Sequence, residues 1–461
     1  MFILDEKRPK YQQIYEQIKL GIEQKHWQAD DALPSIRALA EDLQVSRNTT
    51  LQAYEQLVAE GYIRAVAKRG YFVEPMEPIF MHSETQTIPQ KPNVCPPMID
   101  FRLGAVDQQH FPLTKWRQLT QAVLKEPIGY QYGEMLGEQA LREAIVQYVF
   151  QARGVKTTAS QIVIGSSTQQ LLMHLTILLR DEFTSLIVEE PGYSGVKTIF
   201  QLQNYQLETI PVTAQGTDIE ALFQCKSKIC YITPSHQYPY GTALNVAERW
   251  RCIQWAHERQ GYVIEDDYDG EYRYGQKAFP ALASLDPQRV VYMSTFSKAF
   301  LPAVRVAYMI LPTHLATCYQ EKFALLENNA SHIHQLALAQ FITTGEWERH
   351  IKRMRKVYKS KMEALVQALT KAFGDTITII GKQAGIYIMI AVHLSMDEAT
   401  LLDRALQMGV KVYPSSDLYI THDELTPHIL MGFANVTDEQ MFMGVAQLKK
   451  AWLHEVKENR V

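Results

Sequence analysis

Cysteine is scarce in this chain. Its 461 residues include an odd number of cysteines, five in all, and no two of them form a C-x-x-C pair: Cys95, Cys225, Cys230, Cys252 and Cys318. This pattern argues against the disulfide framework of a small secreted domain and against a zinc site built from paired cysteines. It favours reduced thiols, and we therefore expect a cytoplasmic protein.

Long apolar runs and a large excess of one charge are also lacking. No uncharged apolar segment reaches the roughly 18 residues that a membrane-spanning helix needs. The first residues include Asp5 and Glu6 and contain no apolar signal-peptide core. The formal net charge of −4 argues against a polybasic nucleic-acid-binding protein. This net charge remains compatible with a small DNA-binding module that has local basic residues.

The length and the distribution of proline indicate separate domains. A chain of 461 residues exceeds what one ordinary core contains, so two or more domains are expected. Six prolines fall within residues 75–98, among Thr, Ser and Gln. Because proline-rich segments are extended and semi-rigid, we predict a linker there. It separates an N-terminal domain, residues 1–74, from a body, residues 99–461.

Residues 1–74 contain three helical patterns. The first covers residues 9–25, where Ile14, Ile18 and Ile22 repeat at helical spacing. The second and third begin after the N-cap candidates Ser35 and Ser46. We predict that the third helix ends at Gly61 and buries Leu51, Tyr54, Leu57 and Val58. Two short helices joined by a tight turn are typical of a helix-turn-helix.

The segment after the third helix predicts a two-stranded wing. Residues 62–73 alternate weakly, and Lys68-Arg69-Gly70 form a basic tip. Residues 1–74 carry ten basic and eleven acidic side chains, a net charge of −1. The DNA-binding surface must therefore be a local stripe. Because a single copy binds weakly, we expect a homodimer on two DNA half-sites.

The body contains a lysine in an unusual setting. Lys298 lies in an apolar run, directly after Ser297 and seven residues before Arg305. A lysine in apolar surroundings loses its proton more easily, and the neutral amine is the nucleophile that forms Schiff bases. Ser297 and Arg305 can bind a phosphate group, the arginine through two parallel hydrogen bonds.

Two further patterns complete a candidate site for pyridoxal phosphate. A β-type run ends in Asp266, and a carboxylate can keep the pyridine nitrogen of this cofactor protonated. Ser167, Thr168 and Gln169 follow another β-type run and open a helix, where free backbone N–H groups bind anions. β-type runs alternate with helical patterns, so we predict an α/β body with a mainly parallel sheet. A smaller α+β subdomain is predicted beyond about residue 350.

These motifs resemble the fold type I aminotransferases from Ile99 to the C-terminus. The resemblance implies that Lys298 forms the Schiff base with pyridoxal phosphate, that Asp266 contacts the ring nitrogen and that Tyr193, in Glu-Pro-Gly-Tyr, stacks on the ring. Ser167, Thr168, Gln169, Ser297 and Arg305 would bind the phosphate. Tyr238 stands where the family has an asparagine that contacts the phenolic oxygen, and Tyr268 is the candidate for that contact.

The N-terminal domain resembles the GntR winged-helix family. The similarity lies in Leu33-Pro34-Ser35-x-Arg37, Val45-Ser46-Arg47-Asn48-Thr49 and Gly70-Tyr71-Phe72-Val73. It implies that the DNA-binding residues lie at the helix-turn-helix and at the wing: Arg37, Ser46, Arg47, Asn48, Thr49, Lys68, Arg69 and Gly70. The wing tip lacks the glycine pair often found there, so an arginine is expected to enter the minor groove instead.

A winged helix joined to such a body resembles the MocR/GabR group of transcription regulators. The resemblance implies a DNA-binding regulator that senses an amine, an amino acid or pyridoxal phosphate through the Lys298 Schiff base. The alternative is a working aminotransferase with an attached DNA-binding module, and a third hypothesis is a scaffold that no longer binds the cofactor. Leu430 stands where amino-acid aminotransferases have the arginine that binds the substrate carboxylate, which favours sensing over turnover.

Overall fold

The computed structural model describes residues 4–5, 8–75, 99–127, 132–274, 279–420 and 426–453. The chain divides into two compact units, Met1–Val94 and Cys95–Val461. Except for Pro75, the predicted linker lies outside the described residues. No helix in the described part of the chain is long and apolar enough to cross a bilayer.

The first unit is a winged helix-turn-helix. Its helices and strands are α1 (Lys10–Glu23), α2 (Ile36–Asp42), α3 (Arg47–Ala59), β1 (Ile63–Val66) and β2 (Gly70–Val73). The two strands form an antiparallel hairpin in which Val66 lies opposite Gly70. Ile14, Ile18 and Ile22 are buried in the core of this unit, as their spacing predicts.

Capping side chains fix where α2 and α3 begin. The Ser35 hydroxyl accepts a hydrogen bond from the Ala38 N–H at 3.1 Å, and the Ser46 hydroxyl accepts one from the Thr49 N–H at 3.1 Å. Each contact satisfies one backbone donor that the first turn leaves unpaired. Gly61 directly follows the C-cap of α3 with φ +77°, a conformation that glycine adopts without strain.

The predicted buried face of α3 is partly wrong. The buried residues are Thr50, Ala53, Tyr54 and Leu57, whereas Leu51 is half-buried and Val58 is 37% exposed. Spacings of three and four residues place these buried positions on one side of the helix. Hydrophobicity favoured Val58 over Thr50, but the geometry of packing decides which side faces the core.

The second unit begins with a short strand and contains a large sheet. Its strands are β3 (Ile99–Asp100), β4 (Ile162–Gly165), β5 (Ser185–Glu190), β6 (Gln206–Thr213), β7 (Gly216–Thr217), β8 (Ile229–Ile232), β9 (Tyr262–Asp266), β10 (Val290–Thr295), β11 (Ala307–Ile310), β12 (Ile377–Ile380), β13 (Tyr387–Val392), β14 (Val410–Lys411), β15 (Tyr413–Pro414) and β16 (His428–Gly432). The large sheet has the order β4-β11-β10-β9-β8-β5-β6-β7.

Helices accompany these strands along the chain. They are α4 (Leu113–Lys125), α5 (Gln139–Arg153), α6 (Thr168–Leu179), α7 (Ser194–Leu202), α8 (Val246–Arg259), α9 (Leu282–Leu285), α10 (Phe296–Ala299), α11 (Thr313–Lys322), α12 (His332–Thr343), α13 (Glu346–Phe373), α14 (Glu398–Gln407) and α15 (Asp438–Leu453). Strands alternate with helices along the body up to β11, as an α/β fold requires.

The direction of the strands confirms the predicted sheet. β10, β9, β8, β5 and β6 run parallel to one another, and β11 is antiparallel to both of its neighbours. Successive residues of β4 and β8 enter two different hydrophobic clusters, so both faces of the sheet are covered. A smaller antiparallel sheet, in the order β12-β13-β16-β15, forms the predicted C-terminal subdomain.

Candidate cofactor site and DNA-binding surface

A cavity of about 170 Å³ lies at the carboxyl edge of the large sheet. Open α/β sheets bind their ligands at this edge. Five of the predicted cofactor residues line it: Thr168, Tyr193, Asp266, Tyr268 and Lys298. They come from four separate strand ends and the helices that follow them, which is why residues 130 positions apart in the sequence meet there.

Lys298 follows β10 in the short helix α10. Burial lowers the pKa of its amine, while the Asp269 and Asp266 carboxylates oppose that shift. Gly104 leaves the room that the amine occupies, because a Cβ at this position would lie 1.8 Å from Lys298 Nζ. The lysine is therefore held in a confined position with a pKa lower than usual, and both features favour a nucleophilic amine.

Asp266 ends β9 and presents one unpaired oxygen. Its Oδ2 accepts a hydrogen bond from the Tyr231 hydroxyl. Its Oδ1 is buried without a hydrogen-bond partner among the described residues. Burial raises the pKa of Asp266 to about 7, although the Tyr231 hydrogen bond opposes the shift. A protonated pyridine nitrogen is the donor that such an oxygen needs, so the carboxyl fits pyridoxal phosphate.

This raised pKa predicts how the stability of the cofactor-free protein depends on pH. Between the ordinary value of 3.8 and about 7 the folded state holds a proton that the unfolded state releases. The free energy of unfolding therefore falls as pH rises through that window. We expect Asp266→Asn to flatten this fall, measured as thermal unfolding midpoints between about pH 4 and about pH 8. An unchanged slope would contradict the assignment.

The start of α6 is the candidate phosphate end. The Ser167 hydroxyl accepts a hydrogen bond from the Gln170 N–H at 3.2 Å, and Thr168 is the first residue of the helix. The Gln169 amide donates to the Tyr193 hydroxyl at 3.0 Å. Free N–H groups and the helix dipole make this end favourable for an anion.

Ser297 and Arg305 lie less directly at the cavity. The Ser297 N–H donates to the Thr295 hydroxyl at 3.1 Å, and Arg305 is exposed with φ +52°. Neither of them lines the cavity as the described residues define it, and the same is true of Ser167 and Gln169. Their contact with phosphate stays a prediction from the sequence.

Sequence reasoning missed several polar neighbours of the cavity. The His236 Nδ1 lies 2.9 Å from both Asp269 carboxylate oxygens and 2.9 Å from the Tyr268 hydroxyl. The Tyr387 hydroxyl lies 3.2 Å from that of Tyr268. Tyr231 and Asp269 could have been found from the sequence. Tyr231 lies in β8, the strand beside β9, and Asp269 follows β9 three residues after Asp266. Tyr387 carried none, since it comes from the C-terminal subdomain.

Leu430 lies in an apolar wall beside the cavity. It is fully buried in β16, opposite Met389 and Tyr413, and packs with Tyr387 and Leu418. No arginine among the described residues lines the cavity. At the position where the resemblance to aminotransferases implies a carboxylate-binding arginine, the chain has a leucine that is fully buried beside the cavity and does not line it.

The predicted DNA-binding residues lie on two neighbouring features of the first unit. Arg47 and Asn48 are exposed at the start of α3, and Thr49 is half-buried. Arg37 is exposed in α2 and forms an ion pair with Glu41 at 2.9 Å. The Ser46 hydroxyl caps α3 and also lies 2.8 Å from the Thr49 hydroxyl, so two of its three hydrogen-bonding positions are already used within the domain.

The hairpin turn carries the basic wing residues. Lys68 has φ +59° and Gly70 has φ +109°, so both adopt the left-handed region that turns the chain between β1 and β2. The Arg69 guanidinium lies over the Phe72 ring, 5.5 Å from its centroid. All three wing residues are exposed. A stacked arginine at an exposed hairpin tip is suited to enter a minor groove.

A winged helix and an aminotransferase-type cofactor site in one chain define a class of bacterial transcription regulators. Residues 10–73 match the model of bacterial regulatory proteins of the gntR family, and residues 96–448 match that of aminotransferase class I and II. The HTH-type transcriptional regulator YdeL of Bacillus subtilis strain 168 is 37% identical, over 96% of this chain and 97% of its own. The chain belongs to the MocR type of GntR-family regulators, whose DNA-binding domain is fused to an aminotransferase-like, pyridoxal-phosphate-dependent domain.

Two further comparisons agree with this assignment. The probable rhizopine catabolism regulatory protein MocR of Rhizobium meliloti is 29% identical, over 98% of this chain and 96% of its own. The kynurenine aminotransferase of Pyrococcus horikoshii superimposes with a TM-score of 0.70 at 24% identity, covering 78% of this chain and 91% of the enzyme. That structure contains a form of the cofactor, and the similarity shows that the body has the fold of these enzymes.

Proposed function

We propose that the aminotransferase-like body is a sensor with negligible transaminase turnover. Its ligand is a small amine, or the cofactor itself, and the response is a change in operator binding by the winged helix. The observation that carries this proposal is the apolar wall at Leu430, because the cavity lining contains Lys298 and no arginine among the described residues. A sensor needs the reactive amine, whereas a transaminase also needs a group that orients its substrate.

Each side chain of the cavity has a definite task in this proposal. When bound, pyridoxal phosphate supplies an aldehyde that bonds to amines and a ring that accepts electrons. Lys298 provides the amine that holds the cofactor, and its lowered pKa leaves more of that amine neutral. Asp266 Oδ1 would accept a hydrogen bond from the protonated ring nitrogen and so keep the proton on that nitrogen. Tyr193 would pack against the ring, and Thr168 at the start of α6 would bind the phosphate.

Without an arginine that binds the substrate carboxylate, an amino acid is not held in a defined orientation. The described lining of this cavity offers an amino acid no arginine, and Leu430, buried beside it, donates no hydrogen bond. Orientation of the reacting bond can contribute several kcal/mol to a barrier, so an unanchored substrate reacts slowly. The binding of a simple amine does not depend on such an anchor. A ligand changes the regulator only through its different affinities for two states of the protein.

We also propose that the protein acts as a homodimer. Tyr132 is 88% exposed and Leu325 is 97% exposed, which is unusual for side chains of this size. Their segments are neighbours, since the Asn328 amide donates to the Met135 carbonyl at 3.1 Å. This apolar surface is suited to a second copy of the chain, and two winged helices would bind two DNA half-sites.

Leu430→Arg tests the sensor proposal. We expect the wild-type protein to turn over amino acids with keto acids far below the ordinary median of about 10 per second. The Leu430→Arg variant should bind amino acids more tightly than the wild type does, but simple amines no more tightly. Steady-state assays and spectroscopic titrations with matched amino acids and amines would measure both effects.

Leu430→Met is the matched control, because it keeps the wall apolar and nearly the same in volume. It should behave like the wild type. Ordinary turnover by the wild-type protein would favour the alternative, an active aminotransferase with a DNA-binding module. No gain in Leu430→Arg, with its fold intact, would mean that another group, such as Arg102 or His236, meets the carboxylate.

A further inference from the structure

The body contains a second, larger cavity of about 380 Å³. It lies between the C-terminal end of α5, the segment that follows β9 and the first turns of α13. Among the described residues, none that lines this cavity also lines the cofactor cavity. Its volume lies at the lower end of the range for ligand pockets, and so suits a small molecule.

Three polar atoms of residues in its lining are buried without a hydrogen-bond partner among the described residues. They are Arg153 Nη1, Trp347 Nε1 and Glu271 Oε2. Arg153 already binds Asp267 through Nε at 2.6 Å and through Nη2 at 2.9 Å, which leaves Nη1 as its spare donor. Leaving a buried polar group without a partner is costly, so three such atoms on residues that line one cavity indicate a missing ligand.

The other oxygen of Glu271 is fixed. Its Oε1 accepts a hydrogen bond from the Tyr148 hydroxyl at 2.6 Å. The Tyr148 ring meets the Trp347 ring edge-on, with centroids 5.7 Å apart. Tyr148 therefore contacts both Glu271 and Trp347 and connects these two sides of the cavity. Burial raises the pKa of Glu271, and a cation beside Oε2 would favour its ionised form.

We propose that this cavity binds a small amino acid as a zwitterion, at a site separate from the cofactor. The Arg153 and Trp347 N–H groups supply two donors for its carboxylate, and Glu271 Oε2 accepts from its ammonium group. The charges of the lining agree with a neutral ligand, because Glu271 and Glu348 balance Lys352 and Arg355 while Arg153 is paired with Asp267.

The site is also connected to the cofactor cavity. Asp267 accepts hydrogen bonds from Arg153 and, at 2.6 Å, from the Tyr292 hydroxyl. In the sequence it lies between Asp266 and Tyr268, which both line the cofactor cavity. The negative charge of Asp267 contributes to the raised pKa of Asp266. A carboxylate beside Arg153 is therefore expected to alter the absorbance of the bound cofactor.

Calorimetric titrations of the full-length Lys298→Ala variant test the proposal without interference from amine chemistry at Lys298. The probes are glycine and L-alanine, with acetate and methylammonium as carriers of one charge each. We expect the two amino acids to bind and each single ion to bind at least about tenfold more weakly. Adding Trp347→Phe, which keeps the aromatic ring and removes the N–H, should weaken amino-acid binding about tenfold or more.

Glu271→Gln is a second variant, which keeps the shape of the side chain and removes its charge. This variant should bind glycine and methylammonium more weakly, whereas its affinity for acetate should be unchanged. Trp250→Phe, at an exposed tryptophan, is the matched control and should change nothing. Cofactor absorbance and operator binding of Trp347→Phe with Lys298 intact, each measured without added amino acid, monitor the fold and the proposed sensor function separately.

The results separate the possibilities. Amino-acid binding that survives Lys298→Ala and is lost in Trp347→Phe and Glu271→Gln supports the site, whatever the outcome for the sensor function. The proposal is overturned if Lys298→Ala binds no amino acid. It is also overturned if adding Trp347→Phe or Glu271→Gln leaves amino-acid binding as tight as in Lys298→Ala alone. Acetate binding as tight as that of glycine also overturns it, because the cavity would then be an anion site.

Discussion

Lys298→Ala is expected to abolish covalent attachment of pyridoxal phosphate. Alanine has no side-chain amine, and Lys298 is the one lysine among the described residues that line the cofactor cavity. Borohydride reduction followed by peptide mass spectrometry should find a modified lysine in the wild-type protein and none in the variant. The long-wavelength absorbance of the attached cofactor should disappear as well, which makes this the largest effect we expect from one substitution.

Lys197 provides a demanding control for that result. It is also buried, and burial lowers the pKa of its amine to about 8, so it is a competing nucleophile. Its Nζ, however, donates to the Leu418 carbonyl and does not line the cofactor cavity. Lys197→Met should keep the modified peptide at residue 298. A modified peptide that persists in Lys298→Ala and maps to another lysine would refute the assignment.

Arg47→Ala is expected to cause the largest loss of operator binding. Arg47 is exposed at the start of α3, where the recognition helix of this motif meets the base edges. Loss of one base contact costs about 1–3 kcal/mol, which is roughly a 5- to 150-fold weaker affinity, and relaxes specificity at one position. Electrophoretic mobility shifts with a mapped promoter and its single-base variants would measure both quantities.

The control for Arg47 is another exposed arginine of the same unit. Arg8 pairs with Glu16 at 2.7 Å and belongs neither to α3 nor to the hairpin. Arg8→Ala should therefore bind the operator nearly as the wild type does, and cofactor absorbance should be unchanged in both variants. Unaltered operator binding by Arg47→Ala would exclude this residue from the DNA interface.

Local patterns were enough to predict the fold. Helical spacing and the Ser35 and Ser46 caps predicted the helix-turn-helix, because caps and periodicity depend only on residues a few positions apart. The ends of the β-type runs likewise indicated where Asp266 and Lys298 lie on the sheet. Since parallel strands present their carboxyl ends at one edge, the sequence alone was enough to expect that these two residues meet.

Tertiary packing decided what no local pattern contains. Side-chain contacts between distant elements bring Tyr387 to Tyr268 and pack Leu430 into the apolar cluster beside the cavity. The Arg153–Asp267 ion pair and the second cavity likewise depend on segments more than 100 residues apart. A sequence specifies its caps and strand ends through neighbours along the chain, but a cavity and its unpaired polar atoms exist only where separate elements meet in space.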